Sequence, residues 1–204
     1  MIERLARTCG RDVSRETFER LTAYVALLEA ESVRQNLVAM GTISHLWERH
    51  IIDGAQLLSL TEGSGSWCDI GSGAGLPGLV VSIFSCEPMT LIEPRRLRAD
   101  FLQRVVDSLG LRRVTVEARK VEKVTGKFDF ITARAVANLS KLFEISAHLS
   151  HGGTRWLLPK GESANSELDE ARRKWQGNFR LVPSQTHPHA AIVVAEGVKP
   201  RGKP

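Results

Sequence analysis

The sequence contains no apolar run long enough to cross a bilayer, and its first residues, Met-Ile-Glu-Arg-Leu-Ala-Arg, are charged rather than signal-like. Cysteine is scarce: Cys9, Cys68 and Cys86 are odd in number and lack the spacing typical of a metal site. There is also no internal repeat and no low-complexity tract. These absences argue against a membrane protein and against a bound metal. They predict a cytoplasmic protein of one domain whose thiols stay reduced.

Positive charge exceeds negative charge, with 28 Lys and Arg against 23 Asp and Glu, which gives a net charge of +5. A basic excess favours a polyanionic partner such as RNA. The densest basic segment runs from Glu93 to Lys127, where ten cations are diluted by five acids. This segment predicts phosphate contacts, although a solvated helix face would have a similar composition.

The most informative stretch runs from Trp67 to Gly78 and reads Trp-Cys-Asp-Ile-Gly-Ser-Gly-Ala-Gly-Leu-Pro-Gly. A short apolar strand leads into a glycine loop that opens a helix. Glycines let the backbone turn tightly and approach a ligand closely, and the free N–H groups of a helix start favour an electron-rich ligand. The stretch therefore predicts a nucleotide-like cofactor.

Two cofactors compete for this loop. Gly73 to Gly78 fits the three-glycine dinucleotide pattern, so an NAD(P)-dependent oxidoreductase is one alternative. Asp69 favours S-adenosylmethionine (SAM), because a carboxylate before the first glycine would repel a pyrophosphate and attract the cationic amino group of SAM. Glu93, at the end of the next strand, is predicted to accept hydrogen bonds from the ribose hydroxyls, which both cofactors require.

Strand and helix patterns alternate after the glycine loop. Strands are predicted at 66–70, 89–93, 113–117, 128–132, 154–158 and 190–195, with one near 179–182, and helices at 77–85, 95–109, 138–149 and 164–175. In the helix 95–109 a buried stripe is predicted from Leu97, Phe101, Leu102, Val105 and Leu109. This alternation is typical of an α/β fold, with a doubly wound and mostly parallel seven-stranded sheet.

The chain is predicted to have three parts. Residues 1–62 form a helical extension, with one helix capped by Ser14 and a second that starts at Thr42 and includes Ile43. Residues 63–197 form the cofactor-binding core. Residues 198–204 form a basic tail.

Five stretches, taken in order, resemble the bacterial small-subunit rRNA guanine-N7 methyltransferases, the RsmG or GidB family. They are Asn36-Leu37, Arg49-His50-Ile51-Ile52-Asp53, the glycine loop from Asp69, Ala133-Arg134-Ala135 and Lys160-Gly161. The resemblance covers roughly residues 15 to 195. It implies a Rossmann-like class I methyltransferase, SAM as methyl donor, and 16S rRNA of the small ribosomal subunit as substrate. We expect a monomer without a metal.

The resemblance also implies a set of site residues. It places cofactor contacts at Gly71 and Leu76 in the loop, at Val121 and Glu122 around the adenine, and at Arg134. The chemistry of the loop adds Asp69, Gly73 and Glu93. Asn36, Arg134 and Lys160 are candidates for the substrate site.

Several of these residues have structural alternatives. Asp69 could cap the glycine turn, and Arg134 could bind the SAM carboxylate, an RNA phosphate or a structural acid. Lys160 fits a phosphate or guanine contact as well as an exposed lysine. Arg49 and Asp53 are four residues apart and could pair along one helix.

No catalytic residue is assigned. The N7 atom of guanine carries a lone pair, so it can attack a methyl group without losing a proton, and placement suffices. Two further alternatives remain open. One is a ribose 2′-O RNA methyltransferase that uses Lys160 and Glu196, and the other is an RNA-binding module without catalysis.

Overall fold

The computed structural model describes residues 1–38 and 45–202, so the predicted helix start at Thr42 and Ile43 lies outside the described residues. The N-terminal region forms α1 (Ile2–Cys9) and α2 (Arg15–Ser32). An irregular helix then runs from 47 to 60. It combines a π-helical turn (Trp47–Ile52), α3 (Asp53–Ala55) and a 3-10 turn (Gln56–Leu60).

The rest of the chain alternates strands and helices. The strands are β1 (Trp67–Ile70), β2 (Met89–Ile92), β3 (Val114–Glu117), β4 (Phe128–Ala133), β5 (Ser150–Lys160), β6 (Trp175–Pro183) and β7 (Ala191–Pro200). The helices are α4 (Gly78–Phe84), α5 (Arg96–Ser108), α6 (Leu139–Ser146) and α7 (Ala164–Lys174), with 3-10 turns at Val121–Lys123 and Ala147–Leu149.

The seven strands form one sheet in the order β3-β2-β1-β4-β5-β7-β6. Strands β1 to β5 pair in parallel, whereas β7 runs antiparallel to both of its neighbours. The α/β prediction of a mostly parallel seven-stranded sheet is therefore confirmed. The strand order reverses between β1 and β4, and ligands of such sheets bind beside this point, beyond the carboxyl ends of the strands.

One face of the sheet packs against the N-terminal helices. The start of α2 is capped, because the Thr17 backbone N–H donates to Ser14 Oγ at 3.1 Å. The buried apolar and aromatic side chains of α2 are Leu21, Tyr24, Val25 and Leu28. They belong to one apolar cluster with residues of β1, α4 and α5. Residues 1–38 and 45–62 therefore share a core with the sheet.

The other face carries α6 and α7. Its apolar cluster is centred on Phe143, whose ring meets Trp156 edge-on with centroids 5.1 Å apart. No helix that the described residues form is long and apolar enough to span a membrane.

Two sequence predictions are wrong in detail. Leu97 is 72% exposed rather than part of the buried stripe, because it lies in the first turn of α5. The predicted basic tail does not begin at Val198, since β7 continues to Pro200 and pairs with β6, with Trp175 opposite Pro200. Strand β6 is long enough to pair with β7 over the full length of β7, and this pairing extends β7 to Pro200.

Helix α5 provides a matched pair of leucines for a stability test. Leu102 is fully buried, whereas Leu97 is exposed on the same helix. We expect Leu102→Ala to lower the free energy of unfolding by about 2–5 kcal/mol, because it leaves a cavity. Leu97→Ala should change it by no more than about 0.5 kcal/mol. Urea unfolding of both variants checks this, and equal losses would contradict the packing described for α5.

Candidate functional site

The glycine loop joins β1 to α4 at the point where the strand order reverses. Gly71, Gly73 and Gly75 have φ angles of +67°, +56° and +93°, which L side chains rarely adopt. A Cβ on Gly71 would lie 2.5 Å from Val136 Cγ2, and one on Gly75 would collide with Leu79. At Gly73 the nearest atoms to such a Cβ are Gly71 O at 3.7 Å and Arg98 Nη1 at 3.8 Å, so a Cβ fits there without a clash.

Asp69, in β1, fixes the end of the glycine loop through a hydrogen bond. Its side chain is fully buried, and Oδ2 accepts a hydrogen bond from the Gly78 backbone N–H at 3.1 Å. Its other oxygen, Oδ1, is buried without a hydrogen-bond partner in the part of the chain that the structure describes. Burial raises the pKa of Asp69 to about 7. The structural role weighed for Asp69 is therefore observed, and the carboxylate lies within β1 rather than at the rim of the cleft.

Glu93 ties the loop to the start of α5. It follows β2 and is only 3% exposed. Its Oε2 accepts from the Gly73 backbone N–H at 2.9 Å, and its Oε1 accepts from the Arg95 backbone N–H at 2.8 Å. Carboxylate oxygens can each accept more than one hydrogen bond, so Glu93 can still receive hydroxyl donors.

Tyr24 is a third support for the loop, which sequence reasoning missed. Its hydroxyl donates to the Ala74 carbonyl at 2.8 Å from a fully buried position on α2. Burial raises the pKa of the Tyr24 phenol, so it stays protonated as a donor. The available signal was that the single tyrosine of the chain falls on the apolar face of a predicted helix.

Arg134 follows β4 and points at the irregular helix. Its Nη1 lies 3.0 Å from His50 Nδ1 and 3.4 Å from Asp53 Oδ2, and it donates to the Arg49 carbonyl at 3.3 Å. Burial, together with the charge of Arg134, lowers the pKa of His50 to about 4, so its imidazole is neutral near pH 7. Of the three partners weighed for Arg134, the structure shows the acid. Asp53 therefore pairs with Arg134 and not with Arg49.

Asp53 also reaches the loop between β6 and β7. Its Oδ1 accepts from Thr186 Oγ1 at 2.8 Å and from Gln56 Nε2 at 2.8 Å. The Gln56 side-chain oxygen in turn accepts from the Gln185 backbone N–H at 2.9 Å. One carboxylate thus joins the end of β4, the irregular helix and the β6–β7 loop. Sequence reasoning missed Gln56 and Thr186, and for Thr186 nothing local could mark it, because it is 133 residues from Asp53.

These three elements and the end of β5 enclose a cavity of about 600 Å³. Its lining is mixed, and the polar part includes Arg49, His50, Asp53, Arg134, Lys160 and Thr186. Pockets for small ligands are typically about 300–1,000 Å³ in volume, so a nucleobase fits in this space. The cavity lies beside the glycine loop, because Val136 lines it and is the neighbour of Gly71.

Lys160 fixes the loop after β4 instead of facing solvent. Its Nζ lies 2.8 Å from Glu167 Oε2 and donates to the Ala137 carbonyl at 2.7 Å, and its side chain is 10% exposed. The same loop holds Ala135 at a φ of +57°, an unusual conformation that is often found at functional sites. Arg134 and Lys160 therefore anchor the loop at its two ends, and Lys160 is not the exposed lysine weighed from the sequence.

Comparison with known proteins gives the family. The sequence model of the protein family GidB, rRNA small subunit methyltransferase G, matches residues 17–189 of this chain. The chain is 45% identical over 199 residues to ribosomal RNA small subunit methyltransferase G of Zymomonas mobilis, covering 93% of this chain and 90% of that protein. The protein of the same name from Rhizorhabdus wittichii is 48% identical over 196 residues, covering 94% and 90%. The chain belongs to the GidB family. The resemblance drawn from the motifs is therefore confirmed.

Solved structures support the fold of this GidB-family chain. A SAM-dependent methyltransferase from Aquifex aeolicus matches with a TM-score of 0.59 at 16% identity, covering 74% of this chain and 92% of that one. A glycopeptide N-methyltransferase solved with S-adenosylhomocysteine (SAH) matches with a TM-score of 0.58 at 9% identity, covering 71% and 88%. The predicted class I methyltransferase fold is confirmed.

The structure distributes the remaining predicted residues over this edge. Leu76 is buried in the glycine loop, Val121 is buried after β3, and Glu122 is exposed beside it. Asn36 is exposed, and its carbonyl accepts from Arg98 Nη2 at 3.3 Å. The roles predicted for these four residues stay predictions.

The residues named for ribose 2′-O transfer do not come together. In the pairing of β5 with β7, Lys160 lies opposite Ala191, whereas Glu196 lies opposite Arg155. Arg155 Nε bonds Glu196 Oε1 at 2.6 Å. Five residues of strand, roughly 17 Å, separate the two positions. Lys160 and Glu196 therefore cannot act on one hydroxyl.

The raised pKa of Asp69 has a consequence for stability. The ordinary pKa is 3.8 and the folded value is about 7, so the folded protein without cofactor holds a proton that the unfolded chain releases. The free energy of unfolding should fall as pH rises from about 4 to about 7, by roughly 4 kcal/mol, and then level off. Asp69→Asn should lack this component. Urea unfolding of both proteins between pH 4 and 8 checks this, and parallel pH profiles would contradict it.

Proposed function

We propose that this GidB-family protein transfers the methyl group of SAM to N7 of a guanosine in 16S rRNA of the small ribosomal subunit. The observation that carries the proposal is that Val136 lines the cavity and also lies against Gly71, so the cofactor cleft proposed at Gly73 and Glu93 is directly beside the cavity. Relatives named as rRNA small subunit methyltransferases support the substrate. The motif resemblance supports the guanine N7 position.

The residues around the glycine loop fit SAM. Gly73 leaves room that a Cβ would fill, and Glu93 is placed to receive both ribose hydroxyls. Asp69 supports this site indirectly, because its buried carboxylate holds the Gly78 N–H at the end of the loop. Val121 and Glu122 follow β3 at the same edge, where they frame the adenine. Bound SAM supplies an electrophilic methyl group on its sulfonium.

The cavity suits a reaction that needs placement and no proton removal. His50 is neutral and bonded to Arg134, and Lys160 is paired with Glu167, so neither is poised as a strong base. Arg49 and Arg134 provide donors for O6 of guanine, an atom that arginine commonly contacts, and leave the lone pair of N7 free for attack. Holding N7 in line with the donor accounts for catalysis by proximity.

The cysteines argue against a covalent route. Cys9 and Cys68 are buried in the core, and Cys86 lies after α4, at the opposite end of the sheet from the cavity. Attack by a thiolate, which a pyrimidine C5 methyltransferase uses, would need a cysteine in the cavity. A base with its own lone pair needs none.

We also propose that the protein works as a monomer in the bacterial cytoplasm, where ribosomal subunits are found.

The decisive experiment uses labelled SAM and small subunits from a strain that lacks the homologous gene. We expect label in N7-methylguanosine after digestion of the 16S rRNA. Label on a ribose would select the 2′-O alternative. Binding of NADH without binding of SAH would select an oxidoreductase. RNA affinity that does not respond to SAM, without transfer, would select a binding module.

Two glycines with the same backbone strain test the cofactor site. Gly73 has a φ of +56° and Gly110 a φ of +62°, and neither Cβ would meet an atom closer than 3.7 Å. Alanine at either position should cost a similar 1–2 kcal/mol or so of stability. Only Gly73→Ala should also weaken SAH binding, because its methyl group occupies the cofactor side of the loop. Calorimetry with SAH measures this, and equal affinities in both variants would remove Gly73 from the site.

Asp53 is predicted to position the cavity. In Asp53→Asn the amide keeps one acceptor for Thr186 and Gln56 but loses the charge that holds Arg134. We expect kcat at saturating subunits to fall about tenfold or more, because small misplacements at a reacting centre are costly. Asp169→Asn breaks an exposed ion pair with Arg172 and should leave kcat unchanged. A loss of thermal stability without a change in kcat would show that Asp53 has only a structural role.

A further inference from the structure

The strand directions divide the basic residues of the segment 93–127 between two edges of the sheet. Residues that follow a parallel strand lie at its carboxyl end, and residues that precede one lie at the opposite edge. Arg95 and Arg98 follow β2, and Lys120 and Lys123 follow β3, so they share the edge that carries the glycine loop. The cations that precede β3 and β4 lie at the far edge and are Arg112, Arg113 and Lys127. The basic segment 93–127 therefore contributes to two separate surfaces of the protein.

The end of α2 joins the first of these edges. Gln35 Nε2 donates to the Leu97 carbonyl at 3.2 Å, and Arg98 Nη2 donates to the Asn36 carbonyl at 3.3 Å. These two bonds hold residues 33–36 against the first turn of α5. Arg34 is thereby added to the same surface.

Most cations on this surface have no ion-pair partner. Within residues 1–38 and 45–202, no ion pair is formed by Arg34, Arg95, Arg98, Lys120 or Lys123. Arg96 and Arg119, by contrast, pair with Asp100 and Glu117. We call the five unpaired cations, Arg34, Arg95, Arg98, Lys120 and Lys123, the cationic edge. Glu122 is the exposed acid that lies among these five cations, and the surface therefore still carries more positive than negative charge.

Two exposed apolar side chains lie next to residues of the cationic edge. Val33 is 87% exposed and Leu97 is 72% exposed, which makes them the most exposed large apolar residues in the described part of the chain. Val33 precedes Arg34 in the sequence, and Leu97 lies between Arg96 and Arg98. Unstacked nucleobases have apolar faces and phosphates carry charge, so this mixture suits single-stranded RNA.

The cationic edge is continuous with the cleft. The Glu93 carboxylate bonds the backbone of Gly73 on one side and that of Arg95 on the other. Strand β2 is two strands away from β4, whose end lines the cavity, a separation of roughly 10 Å. An RNA strand with a nucleotide in the cavity therefore reaches the cationic edge within a few nucleotides.

We propose that the cationic edge docks the ribosomal RNA chain that flanks the target nucleotide. This inference rests on the function proposed above, since it takes rRNA as the partner. The arginines and lysines bind phosphates, which contributes salt-dependent affinity and little sequence choice. Val33 and Leu97 contact base faces beside them.

Two arginine pairs test this with equal loss of charge. The edge variant is Arg34→Gln with Arg95→Gln, and the control is Arg112→Gln with Arg113→Gln at the far edge. All four arginines are exposed, so the folded structure should tolerate both variants, as thermal unfolding will show. Affinity for small subunits is measured by filter binding over a range of salt concentrations, and SAH affinity by calorimetry.

The edge variant should bind subunits more weakly, and its slope of log affinity against log salt should be shallower by about 1 per arginine removed. The control should keep the slope of the unmodified protein, and both variants should keep SAH affinity. Equal losses in the two variants would overturn the proposal, because they would show a response to net charge alone. Unchanged binding in the edge variant would overturn it as well.

Leu97→Ser tests the apolar part of the surface. It should weaken subunit binding without changing the salt slope, because no charge is removed. Unchanged affinity would overturn the contact assigned to Leu97. None of these binding measurements uses methyl transfer. A lack of transfer by the unmodified protein would thus count against the proposed reaction and leave the docking surface to its own test.

Discussion

The buried carboxylate of Glu93 is the interaction on which the rest of the site depends. The three glycines of the loop have no side chains to fix them, and their positive φ angles give the loop little intrinsic stability. Glu93 fixes the loop by accepting the Gly73 N–H with one oxygen and the Arg95 N–H with the other. The same carboxylate thus sets the position of the cofactor cleft and of the first turn of α5. Asp69 and Tyr24 hold the loop at Gly78 and Ala74.

The N-terminal helices belong to the site as much as the sheet does. Tyr24 supports the glycine loop from α2, and Asp53 holds Arg134 and Thr186 from the irregular helix. The cavity therefore exists only when residues far apart in sequence come together. Its geometry is coupled to the packing of a region that, by sequence alone, resembles an accessory extension.

Local patterns were enough to predict the sheet and the cofactor loop. Strand alternation, the glycines and Glu93 are each visible within a few residues, and the structure places them as expected. The exposure of Leu97 was not predictable from helical periodicity, because periodicity does not say how far along α5 the sheet extends. The partner of Lys160 was equally hidden, since Glu167 lies on α7 and only the fold brings the two together.

A methyl acceptor that attacks with its own lone pair shifts the burden of catalysis from acid–base chemistry to placement. The described site agrees with that division of labour. Most of its ionisable groups pair with each other, as in the Arg134–Asp53 and Lys160–Glu167 pairs. These pairs fix the segments that line the cavity. Binding energy from elsewhere on the substrate must then hold the base in line with the donor. A cationic surface continuous with the cleft provides such energy, because phosphate contacts beside the target orient the nucleotide that enters the cavity.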